Sequence, residues 1–375
     1  MQKQSSDLNN LQEYSDRIVK IDCSALTLNF NNIKKIAVNS EVIAYVKGDA
    51  YGHGIVGVVR HLRSIGVTMF AVASVNELLA IREHFLDVRV LVSSTYCTPK
   101  ILDIVSRNGG DVVVFHEKHV EILQEVSLPN KIHVWLKVNT GMNRMGVAQS
   151  KLKDCLSKLK KCQNVFTDDI ILMSHFACAD DKNAAMNLQQ IEKFIAATDK
   201  ISLRRSMANS AGILNFPASH FDIVRPGLLL YGVSPLNHYD SRLESFKPVM
   251  TVEARVIALN DITEGESLGY RASYKSHGDK KIAIVAFGYA DGYPVSLKDD
   301  AYALINDIKC PVVARVSMDT MMLDVSHLEE VAIGDKVIIW GNGLDVSHIA
   351  KAANMISYEL LCHVSKRRTC YIYSD

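Results

Sequence analysis

Ala44-Tyr45-Val46-Lys47 runs into Gly48-Asp49-Ala50-Tyr51-Gly52-His53-Gly54, so an apolar segment delivers a lysine into a turn with three glycines in seven residues. Such a lysine has two readings. At the end of a strand it can snorkel to solvent along its aliphatic stem. Desolvated by Ala44, Tyr45 and Val46, it would instead have a lowered pKa and an amine able to attack an aldehyde. The glycines let backbone close on a bulky ligand, and Tyr51 can point its hydroxyl at it.

Other strand ends carry reactive groups too. Lys137 leads into Asn139-Thr140-Gly141-Met142-Asn143-Arg144, and further runs end in His175, Asn209-Ser210 and Arg225-Pro226-Gly227. The turns at Asn209-Ser210-Ala211-Gly212 and Pro226-Gly227-Leu228 offer backbone N–H groups and a hydroxyl suited to phosphate, although as helix caps they need no ligand. A lone His or Arg is ordinarily a packing or ion-pair residue. Lys47, Arg144, His175 and Arg225 at one rim, with few carboxylates, favour an anionic ligand. The eight cysteines (Cys23, Cys97, Cys155, Cys162, Cys178, Cys310, Cys362 and Cys370) form no C-x-x-C pair and sit at no zinc spacing, so reduced core thiols and no metal site are expected. Cys155 and Cys162 lie in a stretch that reads as helical, with packing their simplest role.

The elements that must position these groups follow from the apolar pattern. Between residues 40 and 230 short apolar runs alternate with amphipathic stretches, the signature of buried parallel strands and crossover helices. Eight strands are expected, at Val42 to Lys47, Met69 to Ser74, Arg89 to Ser94, Asp111 to Phe115, Ile132 to Asn139, Asp169 to Phe176, Arg205 to Ser210 and Asp222 to Arg225. Helices are expected at Ile55 to Gly66, Glu77 to Phe85, Pro99 to Gly109 and Lys182 to Ala197. Eight βα units match a (β/α)₈ TIM barrel, whose site lies at the C-terminal strand ends; a doubly wound sheet is the alternative.

Beyond about residue 240 the texture becomes strand and turn. Val249 to Leu259, Lys281 to Phe287, Cys310 to Met318, Met321 to Val325 and Lys336 to Trp340 read as strands, with helical pieces at Val346 to Met355 and Tyr358 to Lys366. This predicts an α/β chain: a frayed segment 1–16, an N-terminal barrel over 17–240 and a C-terminal, mainly-β domain over 241–375. The strand Arg17 to Asp22 lies too far before the first barrel strand to join it without a helix between, and can cross to the β domain. With Lys+Arg 42 against Asp+Glu 41 the net charge is +1, which gives no global field for nucleic acid or membrane surfaces. No apolar run reaches the ~18 residues of a spanning helix and the first residues lack a signal-peptide core, so a cytoplasmic location is expected.

The Ala44-to-Gly54 segment resembles the pyridoxal-phosphate signature of alanine racemases. The similarity continues through Leu136 to Gly146, Ser174 to Asp180, Ala208 to Gly212 and Val224 to Gly227, then Ser267 to Tyr274, Gly288 to Gly292, Ser317 to Asp319 and Ile356 to Glu359, nearly the whole chain. The resemblance implies a pyridoxal 5′-phosphate enzyme that interconverts L- and D-alanine, supplying D-alanine for bacterial peptidoglycan, as a head-to-tail homodimer with shared active sites. By resemblance Lys47 forms the internal aldimine and Tyr270, from the partner subunit, is the base on the opposite face. Tyr51, Ser210, Gly227, Leu228 and Tyr358 match phosphate-binding positions. Arg225 matches the residue facing the pyridine nitrogen, and His175 the one linking Arg225 with Tyr270. Arg144 matches the residue near the cofactor's phenolic oxygen and the substrate carboxylate, which Met318 matches through its backbone. Lys137 aligns with a position carbamylated in some relatives; an unmodified lysine beside chloride or a carboxylate is the alternative.

Racemisation removes a proton from one face of the α-carbon and delivers one to the other, so a Lys47/Tyr270 pair is coherent chemistry. Three departures from the family pattern stand out: Asn139 for a common Asp, Ser206 for a common His, and Arg368-Thr369-Cys370 for Val-Pro-Arg. Serine or broad-specificity racemisation is the nearest alternative. A non-catalytic pyridoxal-phosphate carrier is opposed by the second domain, and a decarboxylase by the carboxylate-binding matches.

Overall fold

The computed structural model describes residues 15–94, 97–298 and 300–374; the expected frayed segment 1–16 falls almost wholly outside them. The chain divides into two compact units, one of Leu26–Phe246 and one joining the stretch up to Ala25 to that from Lys247 on.

The first unit is the expected parallel barrel. Its strands are Glu41–Val42 with Ala44–Tyr45, then Met69–Val72, Arg89–Val92, Gly110–Val114, Val134–Lys137, Ile171–Met173, Arg205–Asn209 and Ile223–Arg225, all in one parallel sheet. Closure falls on the first strand. Val42 is in register with Val224 on one side and Ala44 with Phe70 on the other, and Ile43 and Tyr45 donate to the carbonyls of Val224 and Pro226, each at 3.0 Å. This double duty breaks the expected Val42-to-Lys47 strand into two short pieces, and Lys47 already belongs to the turn that follows.

Side chains alternate along a strand, so one parity fills the barrel. Ile43, Met69, Ala71, Leu91, Val113, Trp135, Ile171, Met173 and Ile223 form that packed centre. Two residues further along, on the same parity, come Tyr45, Ser93, Phe115, Lys137, His175 and Arg225. The layer above the apolar core is therefore polar and cationic. Helices follow where the amphipathic stretches lie, at Ile55–Ser64, Val75–Arg82, Pro99–Arg107 and Ala185–Thr198, with Cys23–Ile36, Glu117–Glu125, Leu152–Lys160 and Ser210–Asn215 in addition. Cys155 lies in Leu152–Lys160, but Cys162 follows its end and donates its thiol to the Leu123 carbonyl at 3.2 Å, so the two do not share a helix.

The second unit is antiparallel. Lys280–Val285, Met321–Asp324, Ile308–Val313, Tyr302–Ile305, Lys336–Trp340 and the long strand Met250–Ile262 pair in that order, and Met250–Ile262 returns to Lys280–Val285 to close the ring. Arg17–Asp22 pairs antiparallel with Met250–Ile262 and parallel with Cys370–Ser374, and helix Cys23–Ile36 follows it. The strand expected from Cys310 to Met318 ends at Val313, because Ala314 turns left-handed at φ 57°. The helix expected to run to Lys366 ends at Cys362.

Candidate active site

At the barrel mouth Arg225 is buried and spends four contacts on neighbouring strand ends. Nη1 donates to Ser206 Oγ at 2.7 Å; Nη2 donates to the carbonyls of Ser174 (2.6 Å) and Met207 (3.0 Å) and meets His175 Nδ1 at 3.2 Å. A guanidinium only donates, so Nδ1 must accept and the imidazole proton sits on Nε2. Burial, then Arg225, Lys137, Arg144 and Lys47, hold the His175 pKa well below its ordinary value. His175 is therefore a neutral imidazole presenting an N–H. Ser206, a departure from the family pattern, serves as a hydroxyl relay, its own proton donated to the Ile223 carbonyl at 2.7 Å.

Lys137 is buried on the adjacent inward position, and its amine is lowered to about 7 by burial and by Arg225, Arg144 and Lys47. The leading charges bearing on it are all positive. Lys47 is exposed in the single chain, the solvent-facing one of its two readings: Ala44 and Val46 are buried and Tyr45 half-buried, and the turn carries the lysine away from them. Its Nζ lies 5.9 Å from the Tyr45 ring centroid. Arg144 is exposed on a loop shaped by Asn139, whose Oδ1 accepts from the amides of Gly141 (3.0 Å) and Asn143 (3.2 Å). Thus Asn139 in place of Asp folds its own loop.

Behind the turn, Ser210, Gly227, Leu228 and Tyr51 converge. Ser210 Oγ accepts from the amides of Gly227 at 2.9 Å and Leu229 at 3.2 Å, which frees its hydroxyl proton to donate elsewhere. A Cβ on Gly227 would strike the Tyr51 hydroxyl, so only glycine permits this approach. The Tyr51 ring is steadied by Tyr231, centroids 5.1 Å apart. Sequence reasoning missed two supports. Gln190, buried in helix Ala185–Thr198, donates to the His175 carbonyl at 3.0 Å and accepts from Ala177 N at 2.9 Å. Tyr45 shares the cationic layer, and burial pushes its phenol up against the pull of Arg225 beside it. Two-residue alternation from Ile43 would have flagged it.

In the second unit the remaining expected residues lie on turns. Tyr270 tops the hairpin Ser267–Leu268/Tyr274–Lys275 and is 69% exposed. Gly269 (φ 70°), Arg271 (64°) and Ala272 (49°) shape the tip around it. Met318 is half exposed, but its backbone is gripped: Ala290 N donates to its carbonyl and Tyr289 N to that of Ser317, both at 3.0 Å. Asp291, wholly buried, anchors this grip. It accepts from Arg17 Nε (3.2 Å), Arg368 Nε (2.7 Å) and Gly288 N (2.9 Å). Arg368 also donates to Asp319 Oδ1, so the departure from Val-Pro-Arg is an ion-pair anchor beside Met318. Tyr358 sits partly exposed on helix Ser357–Cys362.

Among the described residues no helix is long and apolar enough to cross a membrane, and no three His, Cys, Asp or Glu side chains are grouped to hold a metal ion. Residues 21–235 match the family model "Alanine racemase, N-terminal domain" and 249–372 "Alanine racemase, C-terminal domain". The chain is 36% identical over 348 residues to the alanine racemase of Aliivibrio salmonicida, covering 93% of this chain and 96% of that one, and 34% identical over 347 residues to that of Vibrio cholerae, covering 92% and 95%. Its fold is similar to the biosynthetic alanine racemase of Pseudomonas aeruginosa, with TM-score 0.90, 34% identity and coverage of 96% and 100%. It is also similar to the Bartonella henselae alanine racemase with covalently bound pyridoxal phosphate, with TM-score 0.87, 27% identity and coverage of 96% and 100%. With both domain models in order along the chain and relatives aligned over nearly its full length, the chain belongs to the alanine racemase family, isomerases that depend on pyridoxal phosphate.

Proposed function

We propose that this chain interconverts L- and D-alanine with pyridoxal phosphate through a two-base exchange between Lys47 and Tyr270. The observation that carries the reading is the donor set of the barrel mouth. Lys47, Lys137, Arg144 and Arg225 bring positive charge to one rim, and the leading charges bearing on Lys137 and His175 are all cationic among the described residues. The glycine cradle at Gly227, which a Cβ would fill, adds amides and hydroxyls fit for phosphate. These residues fit the cofactor. When bound, pyridoxal phosphate acidifies the α-proton of the amino acid attached to it.

The chain's own groups do the rest. Lys47 is the attachment point and one proton carrier. Tyr51, Ser210, Gly227, Leu228 and Tyr358 hold phosphate, and Arg225 faces the pyridine nitrogen. Arg144 and the Met318 backbone take the substrate carboxylate. His175, neutral with its proton on Nε2, donates toward the Tyr270 phenol and steadies it as an oxygen anion; a tyrosine ordinarily titrates near ~10 and needs such help to act as a base. The exposure of Tyr270 on a shaped hairpin tip supports its use by a second copy, in a head-to-tail homodimer. The bulk of Tyr358 supports alanine over longer amino acids. Eight cysteines that form no C-x-x-C pair suit the reducing cytoplasm, where the D-alanine made would feed peptidoglycan synthesis.

A chiral assay over a panel of amino acids tests this reading, together with borohydride reduction and peptide mapping. Alanine should racemise fastest and the reduced pyridoxyl adduct should lie on Lys47. Faster turnover of serine would reassign the substrate. Cofactor without turnover would make the chain a carrier, carbon dioxide release a decarboxylase, and an adduct on another lysine would remove Lys47 from its role.

A further inference from the structure

Lys47 opens into five consecutive residues of left-handed backbone: Gly48 (φ 61°), Asp49 (56°), Ala50 (56°), Tyr51 (52°) and Gly52 (77°). Only the two ends are glycine. L-residues enter this conformation singly as a rule, because Cβ crowds the following carbonyl, so a run of three persists only where its surroundings over-determine it. Part of the restraint is internal, with Ala50 N donating to the Val46 carbonyl at 2.8 Å and Gly52 N to that of Gly48 at 2.9 Å. Another part comes from the next βα unit. Glu77 Oε1 accepts from Gly48 N, the amide directly after Lys47, at 2.6 Å.

Glu77 does not need that contact to cap its own helix. Its other oxygen, Oε2, accepts from Ala73 N (2.8 Å), Ser74 N (3.0 Å) and Ser74 Oγ (3.2 Å), while Ser74 Oγ accepts from Glu77 N, completing a capping box for Val75–Arg82. One carboxylate thus divides its oxygens between two loops at neighbouring strand ends, and the oxygen facing Gly48 is surplus to the cap. Resting on the reading of Lys47 as attachment point, we propose that Glu77 is a positioning residue that fixes the direction in which the Lys47 amine leaves the strand end. Without it the Gly48 amide loses its acceptor and the left-handed run loses its tie to a rigid element. The lysine amine then samples directions from which it meets the cofactor's aldehyde less often.

The test compares Glu77→Ala with Ser74→Ala, which breaks the same capping box but leaves the carboxylate on Gly48. The readouts are thermal midpoint, kcat and KM for alanine, and the rate at which cofactor-stripped protein captures pyridoxal phosphate on Lys47, with loss of water, followed by borohydride trapping and peptide mapping. Both variants should melt earlier by similar amounts. Only Glu77→Ala should lose capture rate, and its kcat should fall by up to about 10²-fold, the cost of a misplaced reacting group, with KM changed by less than about two-fold. Glu77→Gln, which keeps the shape but has one accepting oxygen for two loops, should lie between, and it decides the matter by the same readouts if Glu77→Ala does not fold. Equal capture rates and kcat in the Glu77 and Ser74 variants would overturn the positioning role. Wild-type protein that captures no cofactor on Lys47 would instead overturn the functional reading beneath it.

Discussion

The barrel mouth and the turns of the β unit both carry chemistry, but they prepare it differently. In the barrel, Arg225, His175 and Ser210 are hydrogen-bonded to neighbours of their own unit, and Lys137 is buried beside them. In the β unit Tyr270 and Met318 stand 69% and 51% exposed, and the structure invests in their backbones, through the hairpin tip at Gly269–Ala272 and the Asp291 anchor. Side chains buried among like charges need a ligand to complete them. Side chains offered on rigid turns need something to be offered to. The contrast is what the proposed shared site would require: one source supplying a preorganised electrostatic cavity, the other supplying groups that cost little to expose.

The sharpest way to break this comparison is Tyr270→Phe. A positioned acid–base group is worth ~10² to 10⁴ in rate, so racemisation should fall by that much while thermal stability stays unchanged, because the hydroxyl stands in solvent in the single chain. Deuterium from solvent should enter D-alanine with retention faster than L-alanine, since the Lys47 face still works. Mixing Tyr270→Phe with Lys47→Ala subunits should restore activity by giving one site with both groups. Equal exchange losses for the two enantiomers would end the two-base reading, and no recovery in confirmed heterodimers would end the shared site.

Arg225→Met tests the other half, where function and stability should fall together. The change strands acceptors at Ser206, Ser174 and Met207 inside the barrel, and leaving a buried acceptor unpaired costs about 1–3 kcal/mol. A denaturant titration reads this directly. Full stability with lost activity would mean that Arg225 serves the ligand alone.

Much of this division was legible in the sequence. All eight expected runs hold barrel strands, with only Glu41 and Gly110 falling outside them, because buried parallel strands write themselves as Val, Ile, Leu and Ala blocks. Lys47, Lys137, His175 and Arg225 follow from asking what ends them. Less legible were groups whose role depends on a distant partner. Nothing near Asp291 announces Arg17 and Arg368, and Cys370–Ser374 passes as loop because its partner Arg17–Asp22 lies at the other end of the chain; Tyr302–Ile305 escapes notice although it forms a tight hairpin with Ile308–Val313. In the sequence Glu77 marks only the start of the expected helix Glu77 to Phe85, since its contact with Gly48 lies 29 residues back in the chain. The left-handed run after Lys47 was hidden because Ala50 and Tyr51 are not residues that favour it.

A smaller effect is expected from Gly288→Ala in the β unit. Its Cβ would lie 2.5 Å from the carbonyl carbon of Met318, a backbone atom that cannot swing aside. The Met318 turn must shift, costing about 1–3 kcal/mol of local strain. Steady-state kinetics should show KM for alanine rising more than kcat falls. An unchanged KM would detach the Met318 backbone from carboxylate binding.

The mildest and most specific test concerns Lys137. A buried amine lowered to about 7 is held below its unfolded value, so between pH 7 and the ordinary lysine range the unfolded chain binds more protons and stability rises with pH. Below pH 7 both states are protonated and the cost of burying the ammonium is felt in full. Lys137→Met should abolish that rise, leaving a flatter profile across the window. The same neutral amine, ringed by Arg225, Arg144 and Lys47, is poised to attack carbon dioxide: the nitrogen bonds to carbon as one C=O π pair moves to oxygen, an N–H proton leaves to solvent, and a neutral group becomes an anion among cations. Asn139, uncharged where many relatives carry Asp, removes a repulsion that would oppose the carbamate. Labelled bicarbonate should therefore give a carbamate signal in carbon-13 spectra of the wild type above pH 7 and none in Lys137→Met. The melting temperature should rise with bicarbonate only in the wild type. The variant should lose a few-fold in KM, because Arg144 would lose a negative partner that orients it. A bare amine at saturating bicarbonate would leave Lys137 as a buried cation whose neighbours are answered by the cofactor and substrate alone.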